Sequence, residues 1–178
     1  MRLSKRRKMT KLIRVEAPLN ERRYKNPRKN LPEGAWSQEP DKVVWIDEIT
    51  KLDCMLLRND LGSWCGYVGV PESHPYFGFS CSRVEFAFER EINFSDSCQA
   101  SASEDEKFVC HCARHGNGEE VWWFGFHLAE SSDYSPALVY QFADRENYRD
   151  INYARALVES LSLALLAVQI PLDKQLTS

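Results

Sequence analysis

The chain has 178 residues, 43% of them hydrophobic and 12% aromatic, and a formal charge of −3. That composition supports a sizeable buried core and excludes collagen-like, low-complexity and wholly disordered chains. The best apolar run, residues 161–168, is shorter than the roughly 18 residues of a membrane span, and the basic stretch 1–18 lacks the apolar centre of a secretory signal. A cytoplasmic protein with no membrane partner is therefore expected.

The charge is unevenly spread. Residues 1–30 hold twelve Lys/Arg against two acids, Glu16 and Glu21, whereas the rest holds eleven basic and twenty-four acidic residues. Pro18, Pro27 and Pro32 punctuate the head, and no apolar period runs through it. Residues 1–40 thus read as a basic, flexible N-terminal arm before one domain over residues 41–178. Clustered Lys and Arg suit the phosphates of nucleic acid. A solvated leader explains the same charge, with translation starting at Met1 or Met9. The body carries no basic face or recognition motif.

Past the Pro/Gly/Ser punctuation of residues 30–40 the pattern is that of strands. Residues 43–46, 52–58 and 64–70 are β-branched and aromatic runs, separated by turns at 47–51 and 59–62. A loop holding His74-Pro75 follows. Residues 84–94 then alternate: Val84, Phe86, Phe88, Ile92 and Phe94 on one parity, Glu85, Ala87, Glu89, Glu91 and Asn93 on the other. This predicts a half-buried strand in an antiparallel sheet. Residues 96–107 read as a loop, and 108–115 with 119–128 as a hairpin about Gly116-Asn117-Gly118. That register opposes His111 to Trp123. It sets Phe108, Cys110 and Cys112 with Trp122, Phe124 and Phe126 on one face. Residues 137–142 read as a last strand. From Tyr148 onward Ala154, Leu157, Val158, Leu161, Ala164, Leu165 and Val168 recur at helical spacing, with Asp150 as N-cap and Pro171 as the stop. The predicted fold class is α+β, a single antiparallel sheet packed against a C-terminal helix.

Four words stand in one order over residues 45–168. They are Trp64-Cys65-Gly66-Tyr67-Val68-Gly69-Val70-Pro71 with His74-Pro75 and Gly78; Val109-Cys110-His111; Trp122-Trp123-Phe124-Gly125-Phe126; and Tyr148-Arg149-Asp150 with Tyr153. Together they resemble the CGYVGVP…HP…G, (I/V)CH and WWFGF signature of a widespread family of bacteriophage and prophage proteins. The resemblance implies a phage or prophage origin and brings no activity with it. Where that family reads Asp-Cys-Ala-His, this chain has His127-Leu128-Ala129-Glu130, so nothing resting on that Asp, Cys or His carries over.

Six cysteines and four histidines raise the question of a metal. Cys110, Cys112 and His115 have suitable ligand types, but i, i+2 cysteines on a strand share one face and serve equally as small core hydrophobes. Zinc is therefore the alternative, and no cofactor the first reading. Cys65 with His74, or Cys98 with His111, would make a nucleophile–base pair if folding brought them together. Asp144, Glu146 and Asp150 are explained by the helix dipole.

The aromatic strand offers a different chemistry. Trp123 beside Gly125, with His111 opposite, can stack a base while histidines bond phosphate or carbonyl groups. Packing against the N-terminal strands or a second subunit would use the same face, leaving homo-oligomerisation open. His74, on a Gly- and Pro-rich loop, and Tyr67, in the same family word, complete the candidate ligand- or partner-binding set His74, His111, Trp123 and Tyr67. The first functional expectation is a phage-encoded inhibitory binding protein in the host cytoplasm, sequestering a small nucleotide signal or masking a host protein. A metal- or cysteine-dependent hydrolase, and a nucleic-acid or virion-associated accessory protein using the basic arm, are the alternatives.

Overall fold

The computed structural model describes residues 11–27, 31–97, 109, 120–138 and 147–168. Among the described residues seven strands form one antiparallel sheet: β1 (Ile13–Val15), β2 (Glu21–Lys25), β3 (Lys42–Ile46), β4 (Asp53–Arg58), β5 (Trp64–Pro71), β6 (Phe94–Ser97) and β7 (Val121–His127). A helix, α1 (Ile151–Leu166), packs on it. The α+β class read from the pattern is the observed one.

β1 to β5 form a meander, β7 pairs with β5, and β6 lies outermost beside β7. Local chemistry sets the turns. Asp47 Oδ1 accepts the backbone N–H of Ile49 (3.2 Å) and Thr50 (2.8 Å), closing the β3–β4 connection. Asn59 Oδ1 does the same for Leu61 and Ser63, both at 3.0 Å, between β4 and β5.

Alternation divides the sheet into two buried faces. Trp45, Cys54, Val68, Phe124 and Phe126 face α1, whose Ala154, Leu157, Val158, Leu161 and Leu165 are all buried. Val44, Met55, Val121 and Trp123 cluster on the opposite face. Asp150 caps the helix, its carboxylate accepting the Tyr153 N–H at 2.8 Å. Gly66 lets α1 come close, because a Cβ there would lie 2.4 Å from the Phe126 ring and 2.7 Å from Val158.

Two expectations are corrected. The arm is not flexible throughout: within it Ile13–Val15 form β1 and Glu21–Lys25 form β2, and β2 pairs with β3 from Glu21↔Trp45 to Tyr24↔Lys42. Its sequence, Glu-Arg-Arg-Tyr-Lys, hides this because the buried Glu21 is stabilised by ion pairs to Arg23 and Arg155 rather than by apolar packing. The expected strand over residues 84–94 joins the sheet only at β6. Residues 84–93 instead pack Val84, Phe86, Phe88 and Ile92 on the α1-side core without entering a ladder. The first arm of the expected hairpin, apart from Val109, and most of residues 137–142 lie outside the described residues.

Candidate functional site

His74 sits on the loop after β5. Its Nδ1 accepts the Tyr76 backbone N–H at 3.1 Å, so Nε2 carries the proton and donates to the Leu165 carbonyl at 2.9 Å. Burial holds the imidazole below its ordinary pKa, and the bond to Leu165 works the other way. His74 is a clasp on the C-terminal turn of α1.

Trp123 points to the opposite face of the sheet. It is 1% exposed, packed with Val44, Met55 and Val121, and its indole N–H has no hydrogen-bond partner among the described residues. Tyr67 packs against the same cluster, edge-to-face with Phe94 at 5.2 Å. Its ring lies over Gly125, where a Cβ would come within 2.4 Å of it. Burial pushes the Tyr67 hydroxyl up, and neighbouring Cys65 adds to the rise. The structure thus brings Tyr67 and Trp123 together and puts His74 across the sheet from them. A buried indole has no free face on which to stack a base. His111 lies outside the described residues, as do Cys110, Cys112, His115 and Cys98.

Among the described residues no group of three His, Cys, Asp or Glu is arranged to hold a metal ion. The Cys54 thiol is buried against the helix side and pushed up by that burial. Cys65 opposes Leu57 and His127 on the face away from α1, so the conceived Cys65–His74 pair does not assemble.

Two polar hubs hold the layers together; Trp64, Tyr148, Arg149 and Tyr153 belong to the recurring words, but the central carboxylates Glu39 and Asp133 and their partners Arg58 and Arg90 stand in none of them. Glu39 Oε2 accepts from the Arg58 guanidinium, from Trp64 Nε1 at 3.2 Å and from the Tyr148 hydroxyl at 2.6 Å. Its Oε1 accepts the Ile151 N–H at 3.0 Å, at the start of α1. Arg58 is 1% exposed, donates to the Pro40 and Gly62 carbonyls, and stacks 4.0 Å over Trp64. At the second hub, the buried Asp133 accepts from Arg90 at 3.2 Å and Arg149 at 3.0 Å. Burial opposes the Arg90 charge, but its bonds to Tyr153 and Asp133 outweigh that and raise its pKa. These carboxylates and guanidinium groups are mutually satisfied, which makes them struts of the fold.

The open chemistry lies elsewhere. A groove of about 490 Å³ follows residues 81–93, lined among others by Val84, Phe86, Phe88, Arg90 and Ile92. Cys81 N–H donates to Ser95 Oγ at 2.7 Å, anchoring the segment's start against β6. The Tyr76 hydroxyl donates to the Glu85 carbonyl at 3.0 Å and accepts its N–H at 3.5 Å. Among the described residues, no backbone N–H or C=O from residue 86 to residue 92 has a hydrogen-bond partner. The alternation of residues 84–94 signalled this segment; that it would stay outside a ladder was not in the sequence. No family model, curated protein or solved structure matches the chain.

Proposed function

We propose that the chain is a phage-type binding protein that masks a host protein by taking up one of its segments along the groove of residues 81–93. The carrying observation is the run of unpaired backbone over residues 86–92 along that groove. An open hydrogen-bonding edge beside half-buried phenylalanines is what an extended polypeptide recognises. The resemblance to phage and prophage proteins supplies the setting, interference with a host process such as defence. The buried Trp123 and the internally bonded His74 favour a protein partner over a nucleotide held by those side chains.

Native mass spectrometry of the full chain purified from bacteria tests this reading. The expected result is a polypeptide bound in fixed ratio and lost from Ser82→Trp, which sets a bulky ring at the groove from an exposed position. An unchanged melt shows that the variant folds. A nucleotide-sized adduct retained by Ser82→Trp would contradict the reading and support sequestration of a small signal.

A further inference from the structure

Resting on that masking role, we infer that the captured segment is an extended stretch alternating basic and apolar residues, added as a strand beside residues 84–88. Burial along this segment keeps the period of a strand: Val84, Phe86 and Phe88 are half-buried, while Glu85, Ala87 and Glu89 are exposed. What it lacks, among the described residues, is a neighbouring strand. Backbone groups of successive residues point to alternate edges of an extended chain. The Tyr76 hydroxyl serves Glu85 on one edge, so the free groups of Phe86 and Phe88 point to the other. Val84, Phe86 and Phe88 also line the groove. A bend at residues 89–90 ends the straight part, so the added strand is short.

The side chains specify its chemistry. Glu85, Glu89 and Glu91 are exposed. Arg90 is engaged by Glu130 at 2.9 Å and by Asp133, and Arg83 stacks 4.7 Å from Phe79. The outward row is therefore acidic. It repels phosphates and the edge of a second copy, and it rewards Lys or Arg directly across. On the inward parity Phe86 and Phe88 offer apolar cross-strand neighbours.

Calorimetry of the full chain with short capped peptides tests this. A peptide alternating lysine and valine is expected to bind, at least about tenfold more tightly than one alternating glutamate and valine, and less tightly as salt rises. Methylating every second backbone nitrogen on the pairing edge is expected to abolish binding. The combined variant Glu85→Lys, Glu89→Lys, Glu91→Lys, altered only at exposed positions, is expected to reverse the preference. Equal binding of both peptides would overturn the basic specificity and leave the masking role standing. Insensitivity to N-methylation would overturn strand addition. A host polypeptide seen by mass spectrometry and lost from Ser82→Trp, with neither peptide bound, would overturn this inference alone; absence of any polypeptide adduct would remove its foundation. Self-association of the wild type at low salt, lost in the charge-reversed variant, would give the groove to the chain's own basic head and overturn the foreign partner.

Discussion

His74 makes the stability of the helix end depend on pH. Its pKa in the folded chain lies below the ordinary value, so between the two values the unfolded chain binds the extra proton. Its contribution is therefore complete above about pH 6.5 and is lost as pH falls toward the folded pKa. Protonated Nδ1 can no longer accept the Tyr76 N–H. The melting temperature is expected to drop on acidification through this range, and less steeply for His74→Gln; identical slopes would show that His74 is not the group responsible. Glu39 carries a larger load, because Arg58 is buried against it. With Asp41 left 3.5 Å from Arg58 Nε as the other carboxylate, Glu39→Ala is expected to cost about 3–5 kcal/mol in urea unfolding. A change below about 1 kcal/mol would place this pair among weak surface contacts.

At the scale of elements, α1 packs on β4 and β5 and reaches β2 through the Arg155–Glu21 ion pair at 2.5 Å. Leu161 is fully buried against the sheet, and Leu161→Ala is expected to cost roughly 2–5 kcal/mol. Deleting residues 1–25 removes β1, β2 and the buried Tyr24. That truncation is expected to lower the melt sharply, and an unchanged cooperative melt would show β2 to be an accessory strand. β3, β4, β5, β7 and α1 were legible because each buries an apolar stripe that sequence period reveals. β2 was not: one of its two buried positions is a glutamate whose partner Arg155 lies 134 residues away. Residues 84–93 show the converse, a strand's alternation with no strand beside it. The face carrying Trp123 was readable from parity, but that Tyr67 shares it and that it is covered are tertiary facts. His74 looked like a binding residue for the same reason, since nothing local announces its bond to Leu165.

At the scale of the whole molecule, among the described residues, both faces of the sheet carry buried clusters and the buried Glu21, Arg58 and Asp133 are paired, while the segment 86–92 keeps its backbone unmatched. Exposed strand edges are aggregation hazards that proteins commonly guard with charge. Glu85, Glu89 and Glu91 serve that purpose here, and the same acids admit a basic strand. Hydrogen–deuterium exchange of the full chain, alone and with the lysine–valine peptide, tests this central claim most directly. In the free chain the amides of residues 86–92 are expected to exchange quickly, while those of Val68 and Phe124, inside β5 and β7, stay protected. Adding the peptide is expected to protect alternate amides in residues 86–88 and leave β5 and β7 unchanged. Slow exchange across residues 86–92 in the free chain would contradict the open edge, because those amides would already be paired.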